Sequence, residues 1–225
     1  MAIHKSRNEQ KRIHRNWLYY FLPITLFFLT LLLLMWAIVR QNLSVSTRSS
    51  WPWKLQLLDI QSATTAATIT GGLILARAQY AVSVRPAISW SGRWEGKTGD
   101  RWIIRLSNGS PATSYFKYLQ YRVMPESKSF GANEGWVPRD EAEQQLEDLG
   151  LHQGRDFTLN LFGPKVPMSG TIDDSSQIAW FSEKAVAALE NVEIKVRAED
   201  QAGDVHQRIV YCWRGIKGDE GSQLD

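Results

Sequence analysis

The longest apolar stretch in the chain lies close to its start. Residues 16–39 carry no charge, and their centre is a run of Leu26, Phe27, Phe28 and Leu29 followed by Leu31 to Leu34. Helical geometry makes this about 35 Å long, more than the ~30 Å hydrocarbon thickness of a bilayer. Trp17, Tyr19 and Tyr20 at one end and Trp36 at the other stand where interfacial aromatics belong. The run is too long for a cleavable signal, and no small-x-small site follows it before Arg40. The pattern predicts a transmembrane helix over residues 17–39, preceded by a basic arm (1–16) and followed by a short external loop (40–54).

A second, weaker stretch follows. Residues 60–76 are 17 uncharged positions rich in Thr and Ala, at the lower limit for a span. Ala63, Ala67 and Gly71 recur every four residues, as do Ser62, Ala66 and Thr70. Small side chains at that spacing let two helices approach closely in a membrane. We therefore expect a second transmembrane helix over residues 55–80, with Ala63, Ala67 and Gly71 as its helix-packing face. An amphipathic or buried soluble helix is the competing reading of the same residues.

From residue 84 the period changes from helical to two. Short runs at 87–90, 101–106, 115–124, 157–162, 178–181, 192–198 and 205–213 are separated by turn residues such as Asn108-Gly109-Ser110-Pro111 and Gln201-Ala202-Gly203-Asp204. The cleanest alternation places Val192, Ile194, Val196 and Ala198 against charged neighbours. Two short helices are expected at 139–149, with Gly150 as its C-cap, and at 182–190, with Ser182 as its N-cap. The predicted class is membrane-anchored all-β: a helical hairpin plus an antiparallel, Ig-like β-sandwich over residues 84–214, with a fraying tail at 215–225. The domain 84–225 is expected to fold alone.

Charge sharpens this picture. Residues 1–85 hold 10 Lys/Arg against two acids, and residues 86–225 hold 16 against 21, so net charges of +8 and −5 make up the +3 of the chain. The basic excess thus lies beside the apolar stretches, where anionic lipid and the orientation rule reward it. The β region is mildly acidic, which argues against nucleic acid as a partner. Lys5, Arg7, Lys11, Arg12 and Arg15 precede the first stretch; Arg40, Arg48 and Lys54 follow it; Arg77, Arg85, Arg93 and Lys97 follow the second. This order favours both termini in the cytoplasm. A single span would export the domain instead.

The segments Arg77-Ala78-Gln79-Tyr80, Val84-Arg85-Pro86-Ala87-Ile88-Ser89-Trp90 and Leu106-Ser107-Asn108-Gly109-Ser110-Pro111-Ala112 resemble a layout found in uncharacterised bacterial membrane proteins. In that layout a membrane helix or hairpin runs into an "RPxL/I"-type first strand, and a second strand ends in an Asn-Gly-small-Pro-Ala turn. The resemblance spans roughly residues 60–125. It implies an inner-membrane protein with a cytoplasmic domain, and it carries over no catalytic residue.

Candidate chemistry is sparse. The single cysteine, Cys212, excludes an intrachain disulfide and reads as a buried strand residue. His4, His14, His152 and His206 show no spacing typical of metal ligands, so no metal and no cofactor is expected. Asp173 and Asp174 read as turn residues. The Gly-Pro-Lys and Gly-Ile-Lys-Gly segments lack the Walker pattern, and no nucleophile elbow occurs. Of the ten tryptophans, Trp90, Trp102, Trp180 and Trp213 are expected in the core. Trp94 and Trp136 fall in expected loops and are the candidates, if exposed, to anchor a protein partner or touch the bilayer. The leading expectation is a non-enzymatic interaction or sensing module, with the lipid bilayer, an unidentified protein and further copies of the chain as partners. An exported assembly or secretion accessory comes second. An enzyme assembled from His152, His206 and the Asp173/Asp174 pair comes third.

Overall fold

A computed structural model describes residues 10–95, 100–126, 135–171, 176–214 and 216. The chain forms two compact units: residues 1–15 together with 84–225, and residues 16–83.

The first unit is built from two four-stranded antiparallel sheets. One has the order β1 (Lys11–His14), β8 (Val205–Tyr211), β7 (Leu189–Glu199), β4 (Tyr115–Pro125). The other has the order β2 (Ile88–Glu95), β3 (Arg101–Asn108), β6 (Gln177–Ser182), β5 (Phe157–Leu159). Alternation explains both. In β7, Val192, Ile194, Val196 and Ala198 are wholly buried, as are Ile104 and nearly so Trp102 and Leu106 in β3. These side chains from the two sheets belong to one hydrophobic core, joined by Phe157, Ile178 and Phe181. Each fully buried aliphatic or aromatic residue contributes about 1.5–3 kcal/mol of transfer free energy, so this shared core dominates the unit's stability.

The two expected short helices are α4 (Arg139–Asp148) and α5 (Glu183–Ala188). Ala142 and Leu146 bury the inner face of α4. Gly150 ends that helix at φ +76°, a conformation glycine adopts without penalty, and its N–H donates to the Glu147 carbonyl at 2.8 Å. Ser182 Oγ caps α5 by accepting from the Ala185 N–H.

Three expectations are corrected. β5 stops at Leu159, and Leu161 is 73% exposed, because the chain leaves the sheet before the alternating pattern ends. Trp94 lies in β2 opposite Trp102, not in a loop. Most consequentially, the basic arm holds a strand of the domain: residues 11–14 pair antiparallel with β8, Lys11 with Gln207 and Arg12 with His206. Gln10 extends the join. Its Nε2 donates to the Pro86 carbonyl at 2.7 Å, and its Oε1 accepts from the Ile88 N–H at 2.9 Å. Arg12 donates to Asp204 at 3.2 Å. In the tail, Ile216 packs on the core; Gly215 and residues 217–225 lie outside the described residues.

The second unit is an antiparallel helix pair, α1 (Trp17–Asn42) and α3 (Ile60–Ser83), joined by a segment containing the one-turn α2 (Val45–Arg48). Within α1, residues Tyr19–Asn42 are the one helical stretch among those described that is long and apolar enough to cross a membrane. α3 matches it in length but is rich in Thr, Ala and Gly. Ala63 and Ala67 are buried, and a Cβ on Gly71 would meet the Phe27 ring at 3.4 Å. The Thr30 and Thr70 hydroxyls hydrogen-bond across the pair at 3.0 Å, and the Arg77 guanidinium lies over Tyr19 at 3.2 Å.

Candidate functional site

A charged surface covers the outer face of the β1-β8-β7-β4 sheet. On central β7, Glu193, Lys195 and Arg197 project away from the core, yet Glu193 and Lys195 are only 3% and 9% exposed. Neighbouring strands cover them. Arg122 pairs with Glu193, and Lys195 donates to Gln120 at 3.2 Å. Arg197 donates to Gln207 at 2.8 Å and stacks on Tyr118. Trp136 lies within reach of two cations, Lys195 at 4.0 Å and Arg122 at 4.9 Å from its ring centroid, which holds the indole against the sheet. Burial, and secondarily the Arg122 charge, pulls Lys195 below the ordinary lysine value. Each of these charges already has a partner within the sheet. The arrangement offers a shaped, half-buried aromatic, not a reactive group.

A second cluster closes the β7–β8 turn. Asp200 accepts from the backbone N–H groups of Ala202 and Asp204, each at 2.9 Å, and pairs with His206 Nε2 at 2.9 Å. Both members of the pair are 2% exposed at their side chains, so no substrate reaches them. The pair fixes the turn against which Arg12 of β1 docks. His152 is exposed in the turn before β5, in the other sheet, and contributes its backbone N–H to Asp156 at 2.9 Å. The proposed catalytic grouping of His152 with His206 is therefore not assembled, and Asp173 and Asp174 lie outside the described residues. Among the described residues, no group of three or more His, Cys, Asp or Glu is arranged to hold a metal ion.

Asp156 is a junction between elements. Its carboxylate accepts from Arg155, from the His152 N–H and from Lys184 Nζ at 3.1 Å, while Lys184 also reaches the Gly150 carbonyl. The Arg155 hydrogen bond first, then the other donors, hold its pKa well below the ordinary 3.8. A carboxylate lowered on folding stabilises the fold fully above its unfolded pKa, and the contribution vanishes as pH falls through the folded value. Asp156→Asn should therefore be less stable than the natural chain at neutral pH and lose less between about pH 5 and about pH 2. Urea titrations across that range check this, and parallel losses would refute it.

Tyr121 is 1% exposed, and its hydroxyl has no hydrogen-bond partner among the described residues. Burial pushes the phenol pKa up strongly. Because an unpaired buried polar group is unfavourable by about 1–3 kcal/mol, Tyr121→Phe should stabilise the unit by about 1 kcal/mol, read as a raised denaturation midpoint. Cys212 is fully buried, which raises its thiol pKa well above normal and leaves it inert.

The residues behind the resemblance form a clasp. Asn108 Oδ1 accepts from the Ala87 and Ser110 N–H groups, both at 3.1 Å, and its Nδ2 donates to the Ala112 carbonyl at 2.6 Å. The Gly109 N–H donates to the Ala87 carbonyl at 2.8 Å. The start of β2 and the end of β3 are thereby tied together, a structural role. Sequence reading gave no role to Gln10 or Asp200, saw Arg12 only as a charge of the basic arm and Asp204 only as a turn residue, and signalled none of their pairings. No family model, curated protein or solved structure matches the chain.

Proposed function

We propose that this chain is an inner-membrane protein anchored by a two-helix hairpin, with a cytoplasmic, Ig-like β-sandwich that serves protein interaction or sensing and not catalysis. The observation that carries the reading is the pairing of β1 with β8. β1 precedes α1 and β8 follows α3, so both ends of the helix pair return to one folded unit. If α1 crosses a bilayer, α3 has to cross back. A single span would leave β1 and β8 on opposite sides and break their hydrogen bonds.

Two further features support α3 as a span. Its 24 residues give about 36 Å of helix. Its threonines satisfy themselves: Thr65 and Thr68 donate to carbonyls one turn back, at 2.9 Å each, which lowers the cost of hydroxyls in hydrocarbon. Sidedness also gains weight from the β1–β8 pairing. On the hairpin reading, the five basic residues before the first apolar stretch and the four after the second fall on one side, against Arg40, Arg48 and Lys54 at the far end. The face around Trp136 is the surface we assign to a partner, because it combines a half-buried indole with an excess of cations.

Reporter fusions test the reading. A cytoplasmic reporter should be active after Asp225, and a periplasmic one should be active when inserted after Ser49. Periplasmic activity after Asp225 would overturn it, as would reproducible turnover of a substrate by the purified protein.

A further inference from the structure

The segment between α1 and α3 is unusual for a chain that faces water. Val45 and Trp51 are 82% and 84% exposed, and Leu55 and Leu57 are 53% and 51% exposed. Apolar side chains gathered at that density normally mark a surface that something covers. The segment does not project freely. Trp53 stacks on Trp36 with ring centroids 4.8 Å apart, Trp36 Nε1 donates to the Leu55 carbonyl at 3.3 Å, and Arg40 Nε donates to the Trp53 carbonyl at 2.9 Å. Residues 53–55 are thereby pinned along the last two turns of α1, whose own Met35, Ile38 and Val39 are exposed. The apolar patch is continuous with the flank of the membrane-compatible helix.

Charge points to the same covering surface. Between residues 40 and 58 there are three cations, Arg40, Arg48 and Lys54, and no acid. Tryptophan, leucine and basic residues interleaved beside a helix end are the composition that settles at the boundary between lipid headgroups and acyl chains.

We propose that residues 45–57 lie in that boundary, in the leaflet at the far end of the hairpin, with anionic lipid headgroups as the counterpart of Lys54 and its neighbouring cations. The assignment rests on the membrane-anchored reading. It makes the connecting segment a lipid-binding element and not an external loop.

The test uses the full-length protein in vesicles of phosphatidylethanolamine and phosphatidylglycerol, with single cysteines carrying an environment-sensitive fluorophore. The variants are Val45→Cys, Leu57→Cys, Leu32→Cys in the middle of α1 and Glu141→Cys on the exposed face of α4. The buried native Cys212 does not compete for label, which the unsubstituted protein verifies. Probes at 45 and 57 should be quenched by lipids bearing a nitroxide near the headgroup. They should also be about threefold less accessible than the 141 probe to acrylamide equilibrated across the vesicles, as interfacial burial requires. Replacing phosphatidylglycerol by phosphatidylcholine should raise acrylamide access at 57; no change would remove the anionic-lipid assignment. If the 32 probe is quenched by deep nitroxides while 45 and 57 behave like 141, the proposal is overturned and the membrane anchoring of α1 stands. If the 32 probe ignores lipid quenchers, the membrane reading fails and the proposal falls with it.

Discussion

A chain in which residues 16–83 are replaced by a flexible linker should fold as a soluble, monomeric β protein, whereas residues 84–225 alone should not reach the same stability. The β1 strand accounts for the difference. Without it, β8 becomes an edge strand, Asp204 loses Arg12, and the Pro86 carbonyl and Ile88 N–H lose Gln10. Several backbone and side-chain hydrogen bonds at about 0.5–1.5 kcal/mol each amount to a deficit of about 2–4 kcal/mol. An unprotected edge also pairs with other chains, so the truncated domain should self-associate. A Gly/Ser linker of about 12 residues reaches ~19 Å and keeps β1 at high effective concentration. Urea denaturation and sedimentation compare the two proteins. Equal stability and equal mass would mean that β1 contributes nothing to the domain. The boundary at residue 84 suggested by the change in hydrophobic period omits this strand.

The second large effect is expected at Gly92. This residue lies within β2, opposite Ile104, and a Cβ there would sit 2.3 Å from the Trp102 ring. That ring has little room to withdraw. Trp102 is 6% exposed, its Nε1 donates to the Cys212 carbonyl at 2.7 Å, and Trp94 lies 5.6 Å away. Gly92→Ala should destabilise the unit by about 3 kcal/mol, at the upper end of what overpacking does. Gly109→Ala is the control. Its Cβ would meet nothing closer than 3.6 Å, and φ there is not in the left-handed region. Thermal melts with tryptophan emission resolve the pair. A Gly92→Ala protein that melts with the natural chain would show that the Trp102 ring is free to move.

Gly92 also shows where sequence reading ends. A glycine in a strand pattern announces a close approach, but not which side chain makes it. The rest of the β unit was legible to the degree that its strands alternate. Val192 to Ala198 alternates over seven positions with charges between, and β7 follows it. Phe157 to Leu161 alternates as well, yet the strand ends at Leu159, because alternation records only that one face is apolar and not whether a neighbour remains to pair with. Helix ends were readable because caps are local: Ser182 and Gly150 act on residues within one turn. β1 was hidden because its four residues are all exposed and its partner lies about 190 positions away. The candidate site was legible least of all. Trp136 is held by Arg122 and Lys195 from two strands, a meeting that no spacing along the chain encodes.

The β1–β8 pairing also fixes an order of events. β1 finds its neighbour only after about 190 further residues have been made, since Lys11 waits for Gln207. Closing so long a loop is slow, and until it closes the exposed edge of the sheet invites wrong pairings. The apolar helix α1 is made within that interval. The β unit is thus closed late, by pairing a strand made before both long helices with one made after them.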